Sequence, residues 1–178
     1  MGILAIIQTI LSVLALIAAV YIPEKIKWEQ TYSALLSDYR GYDFAAAVQG
    51  IIDFFVVNCN RDVERIPLEY NRVAANSSCL SNDQNLHFQR RLLAQFYWQL
   101  NECSKSFFIG KKRVKKDFFS RKEANLLRII YFMDKAIDDD ENGVLFKEIS
   151  SFEHVPKNHK KKNMNSAIAE MYYLLHEK

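Results

Sequence analysis

The residues able to do chemistry are few and scattered. His87, His154, His159 and His176 stand at no metal-ligand spacing from a cysteine or an acid. No glycine-rich phosphate loop or nucleophile elbow is present. Cys59, Cys79 and Cys103 are odd in number and far apart. That pattern argues against a disulfide framework and suits a reducing compartment. Cys103 lies at a helical core phase, where a thiol acts as a small apolar residue. Asp138, Asp140, Asn142 and Gly143 match positions 1, 3, 5 and 6 of a calcium loop, but position 12 is Ile149 and the acid falls one early, at Glu148. Without the bidentate glutamate the coordination sphere stays open, so a helix end followed by an acidic turn explains the same letters. These observations predict a protein that is not an enzyme and carries no cofactor or metal.

Two other patterns are more specific. Gln8, Ser12, Ala15 and Ala19 recur at i, i+4, i+7 and i+11 within an uncharged apolar run. On a helix they share one face, extended by Ala5. Hydrocarbon offers no partner to a glutamine amide, so Gln8 is expected to face protein or water. Small residues on the same stripe let helices approach closely. The stripe therefore serves either as a helix-packing seam or as the lining of a pore. Lys111, Lys112, Arg113, Lys115 and Lys116 form a basic run, expected to be a loop, with Phe107, Phe108, Phe118 and Phe119 around it. Lys157, Lys160, Lys161 and Lys162 form a second. Such runs fit a solvated surface, contact with anionic lipid, or the phosphates of RNA or a nucleotide.

The elements that must position these residues begin with the apolar run. Ile3 to Ile22 holds 20 residues without a charge. A helix of about 20 residues spans the roughly 30 Å hydrocarbon core of a bilayer. Pro23, Glu24, Lys25, Lys27 and Trp28 follow, reading as a breaker, charges and an aromatic at headgroup depth. A cleaved signal peptide would carry a basic start and a shorter apolar core, and no Lys or Arg precedes Lys25. Residues 1–23 are thus expected to be a transmembrane helix. Lys25, Lys27 and Arg40 place residues 24–178 in the cytoplasm by the positive-inside rule.

Beyond the anchor, helical periodicity dominates. The chain has only 5 Gly and 3 Pro, and aromatics make up 13%, enough for a packed core. Net charge is +3. Trp28 to Tyr39 reads as a juxtamembrane helix ended by Gly41. Phe44, Val48, Ile51, Ile52 and Phe55 mark the next apolar face. Asn58 to Arg61 is a break, and Pro67 marks a kink or a helix start. After a loop at Asn76 to Asn82, Ser81 to Gln84 is a capping box opening a helix through Leu92, Phe96, Leu100, Cys103 and Phe107. Ser120 to Glu123 is a second capping box, ahead of Ala124, Leu127, Ile130 and Tyr131. Phe146 to Phe152 fits a short helix or strand, and His154 to Asn163 a polar linker. The last helix carries Ala167, Ile168, Met171, Leu174 and Leu175. The expected fold is all-α, an N-terminal transmembrane helix followed by a bundle of four to six helices.

An uncharged span from Ile3 to Ile22, the Pro23 to Trp28 juncture and a Lys- and Phe-rich helical domain resemble small membrane accessory proteins of bacterial CRISPR systems. The nearer likeness is to the single-span accessory of type VI-B systems, which accompanies an RNA-guided RNase. That resemblance implies an inner-membrane protein with a divergent helical RNase-like domain, assembling as a homo-oligomer into a pore that strengthens antiphage defence. An Arg followed four to six residues later by His, the signature of helical RNases, is absent at all four histidines. The departure leaves the implied pore role untouched. A second likeness is to membrane effectors of type III systems gated by cyclic oligoadenylate, a nucleotide second messenger. There the basic run would bind the ligand.

Overall fold

The computed structural model describes residues 2–76, 85–118, 121–140 and 164–176. Seven α-helices follow in order: α1 (Ile3–Tyr39), α2 (Tyr42–Val57), α3 (Ile66–Asn76), α4 (Leu86–Lys105), α5 (Gly110–Phe118), α6 (Arg121–Asp140) and α7 (Met164–His176). A short 3-10 turn, Val63–Arg65, precedes α3. No strand occurs among the described residues. The expected all-α fold with an apolar N-terminal helix is what the chain adopts.

α1 is the organising element. It runs 37 residues without interruption, with Pro23 inside it. The expected break at Pro23 is therefore wrong. Proline removes the hydrogen bond to the carbonyl four residues back, but the turns on both sides keep theirs and the helix continues. From Ile6 the helix is long and apolar enough to cross a membrane. Among the described residues most of its apolar part is exposed: Leu16 is 69% exposed and Ile17 56%. Its lower part enters the core, where Tyr32 and Leu35 are buried. Arg40 and Gly41 end the helix, with the Gly41 amide donating to the Asp38 carbonyl at 2.9 Å.

α4 lies at the centre of the domain, against α1, α2, α5 and α7, and α6 packs on α3 and α7. The apolar spacing of each helix predicts most of what is buried. Phe96, Leu100 and Cys103 of α4 are buried, as are Ala124, Leu127, Ile130 and Tyr131 of α6 and Ala167, Ile168, Met171 and Leu175 of α7. In α2 the buried line is Phe44, Ala47, Ile51 and Phe54, so the face is turned from the expected one and Ile52 is 40% exposed. The expected α4 face also runs too far. The helix ends at Lys105, where the Ser106 hydroxyl donates to the Cys103 carbonyl at 2.9 Å and accepts the Ile109 amide at 3.2 Å. This turn throws Phe107 out of phase and leaves it 86% exposed.

Breaks and caps follow local chemistry. Asn60 and Arg61 take left-handed φ values of 51° and 63° after α2, in the expected break. Pro67 sits in the first turn of α3, where its missing N–H costs nothing. α4 is capped by Asn85, whose side chain accepts the Phe88 amide at 3.1 Å. The Ser81 to Gln84 pattern, Ser120, Cys79, Phe119, His154, His159, most of the expected loop at Asn76 to Asn82, the segment Phe146 to Phe152, the second lysine run and most of the calcium-like turn lie outside the described residues.

Candidate functional site

The residues singled out from the sequence fall in two places, the apolar part of α1 and α5, and the two meet where α1 emerges from its apolar run. Side chains before and along α5 meet successive positions of α1. At its approach, the Phe108 ring meets the Tyr21 ring edge-on at 5.0 Å. Further down, the Arg113 guanidinium takes the Glu29 carboxylate with bonds of 2.7 and 2.8 Å and lies 4.9 Å over the Tyr32 ring. The Tyr32 hydroxyl donates to Asp117 at 2.8 Å. At the foot of the pair, Phe118 packs edge-on against Tyr32 and Tyr39.

Each contact leaves an electrostatic trace. The Arg113 hydrogen bond holds the Glu29 carboxyl below the usual range, and the guanidinium proton is held more tightly in return. Burial, reinforced by the Asp117 carboxylate, pushes the Tyr32 phenol well up. Below it, Glu123 of α6 is buried and accepts two phenols, Tyr39 of α1 at 2.8 Å and Tyr97 of α4. Burial and Glu123 push Tyr39 up to about 12 and raise Tyr97 as well. Glu123 thus joins three helices, a role beyond the capping one its position suggests. A second buried tie, Arg90 with Asp134, joins α4 to α6.

The five cations 111–116 form no loop. They lie on α5, and its turn distributes them among three directions. Arg113 faces α1. Lys111 and Lys115 face α4 and α7, lining a cavity of about 500 Å³ with Asn101, Ser104, Lys105 and Glu170. Lys112 and Lys116 are exposed, and Val114 and Phe118 fill the core side. In the cavity, Lys105 pairs with Glu170 at 2.6 Å and Asn101 donates to the same carboxylate at 2.8 Å. Burial alone would raise Glu170, but these bonds outweigh it and hold the carboxyl below its usual range. A flat helix run has no inside, so one basic segment cannot present all its charges to one ligand.

The stripe on α1 keeps its expected placement on one exposed face, but its polar members behave differently. The Ser12 hydroxyl donates to the Gln8 carbonyl at 2.9 Å, so it is satisfied within the helix. The Gln8 amide makes no side-chain hydrogen bond among the described residues and is exposed, as are Ala15 and Ala19.

The other reactive residues are held quietly. Cys59 and Cys103 are buried free thiols, and burial pushes each up to about 11. His87 shares a hydrogen bond of 3.0 Å with the Tyr70 hydroxyl, and burial, helped by Arg90 and Arg91, lowers its proton affinity. Among the described residues no cluster of His, Cys, Asp or Glu is placed to hold a metal ion.

Sequence reasoning missed Glu29, Tyr32, Asp117 and Glu170, and read Glu123 only as part of a capping box. The pairs Arg113–Glu29 and Tyr39–Glu123 each join residues 84 positions apart, which no local spacing announces. No family model matches the chain, and neither a curated protein nor a solved structure matches it.

Proposed function

We propose that the chain is a single-pass protein of the bacterial inner membrane that self-associates through α1. The associated spans form a ion-conducting ring above a collar of cytoplasmic helical domains. The observation that carries this reading is the Gln8 amide: it lies on an apolar helix, exposed and with no side-chain hydrogen bond among the described residues. In hydrocarbon an unpaired amide costs several kcal/mol, which a neighbouring copy or a water-filled lumen relieves. Ala15 and Ala19 on the same face allow the close approach that a ring requires. Ser12 contributes less, since its hydroxyl is already bonded. Opening would leak ions and depolarise the cell, the accessory role in antiphage defence that the layout suggests.

Vesicles carrying the full chain and a potassium diffusion potential test this. The wild type should dissipate the potential, and Gln8→Leu should slow dissipation several-fold at equal incorporation. An intact potential with the wild type would overturn the pore. Unchanged conductance in Gln8→Leu would remove Gln8 from its lining.

The cavity between α4, α5 and α7 favours a second reading, a membrane-anchored sensor of an anionic nucleotide or RNA. Three lysines, 105, 111 and 115, gather there around the single carboxylate of Glu170. On this reading Lys111→Gln with Lys115→Gln abolishes binding of a cyclic oligoadenylate, while Lys112→Gln with Lys116→Gln leaves it intact. Retained binding in the first pair would sink it.

A further inference from the structure

An exposed phenylalanine stands at the level where α1 leaves its apolar run. Phe107 is 86% exposed, on the turn between α4 and α5. Its ring packs edge-on against its neighbour Phe108 at 5.7 Å, and Phe108 packs on Tyr21 at 5.0 Å. The Ser106 hydroxyl, bonded to both sides of the turn, fixes the backbone between them. Tyr21 is the penultimate residue of the uncharged stretch. The turn is thus tied to α1 at the depth where apolar side chains give way to charged ones.

We propose that this turn docks the domain onto the surface of its own membrane, with the Phe107 ring inserted at the headgroup–acyl boundary and Lys112 on an anionic headgroup. The inference rests on the reading that α1 spans the bilayer. Depth decides the assignment. From Tyr21 to Glu29 a helix descends about 12 Å at 1.5 Å per residue. The headgroup layer is about 5–8 Å deep on each side, the difference between a bilayer's full thickness and its hydrocarbon core. Phe108, on Tyr21, therefore lies at the inner edge of that layer, and Arg113, on Glu29, lies below it. Lys112 precedes Arg113 on the exposed side of α5, and a lysine stem extends its ammonium upward to phosphate. An exposed aromatic beside a lysine at this level suits a lipid interface, where the ring is drawn inward and the cation is held by anionic lipid. The contact would hold α5, and through Arg113 and Tyr32 the whole domain, at one distance from the bilayer.

Tryptophan fluorescence of the full chain in vesicles tests the proposal. Phe107→Trp adds one emitter to the native Trp28 and Trp98, at a site so exposed that folding tolerates the change. In phosphatidylcholine vesicles brominated near the top of the acyl chain, the added emission should fall at least twofold relative to unbrominated vesicles. With phosphatidylglycerol included the fall should deepen, and adding Lys112→Gln should cancel that deepening. A chain that resists alkaline extraction yet leaves the added emission unquenched overturns the docking alone. Extraction by alkali removes the span reading and the docking together. Quenching that ignores phosphatidylglycerol removes Lys112 from the contact.

Discussion

One helix carries two surfaces of opposite design. The upper part of α1 is uncharged, apolar on every face but the one holding Gln8 and Ser12, and stands bare, with Leu14, Leu16 and Val20 between 56% and 69% exposed. The lower part is amphipathic: Tyr32 and Leu35 are fully buried against the domain while Ser33 and Ala34 are exposed. A helix apolar on every side suits a solvent of hydrocarbon, and a one-sided helix suits a protein core facing water. Pro23 divides the two in sequence but does not break the backbone. The continuity matters, because a rigid helix transmits to the domain whatever the upper part does.

The sharpest way to break this contrast is to shorten one side chain in each part. Tyr32→Ala removes a buried ring, its bond to Asp117 and the base on which Arg113 lies, and should cost the domain about 3–5 kcal/mol. Leu16→Ala should leave domain stability unchanged, because Leu16 is 69% exposed and the ring contact between domain and upper part lies at Tyr21 instead. Denaturant melts of the detergent-extracted protein check both. Equal losses would mean that the upper part is packed in the domain fold.

Next in size is Glu123, which joins the lower part to α4 and α6. Glu123→Gln should cost about 1–3 kcal/mol, since an amide cannot accept both phenols as well as a carboxylate does. The same cluster sets an alkaline limit. Tyr39 is raised in the folded state from 10 to about 12, and Tyr32 and Tyr97 are raised too. The unfolded chain therefore loses phenolic protons first as pH rises. The resulting stability is whole below about pH 10 and is lost progressively through about pH 12. Phenolate absorbance should show these tyrosines titrating together with unfolding. Their ionisation near pH 10 in a folded domain would contradict the buried cluster.

The smallest effect belongs to Arg113. Its pair with Glu29 is half exposed on both sides, so Arg113→Ala should cost no more than about 1 kcal/mol, and less in high salt. A larger, salt-insensitive loss would show that the cation–ring contact with Tyr32 carries the attachment.

These parts differ also in how far the sequence reveals them. Helix type, most buried positions and the breaks at Gly41 and Asn58 to Arg61 follow from apolar spacing and turn residues. What escaped depends on three dimensions. The basic run reads as one patch in the sequence, yet a rotation of about 100° per residue sends Arg113 to α1, Lys111 and Lys115 to α7 and Lys112 to solvent. Phe107 fits the α4 period by count, but one hydroxyl at Ser106 stops the helix before it. Glu123 matches a capping pattern, while its buried partners lie on helices far away in sequence. Gln8, Ser12, Ala15 and Ala19 lie on a single helix, so their common face follows from spacing alone.

Light scattering of the full chain in detergent, corrected for the micelle, tests self-association through α1 most directly. The account predicts a closed assembly of several copies that falls to smaller species in Gln8→Leu while the domain stays folded. A wild-type protein that runs as a monomer would contradict it.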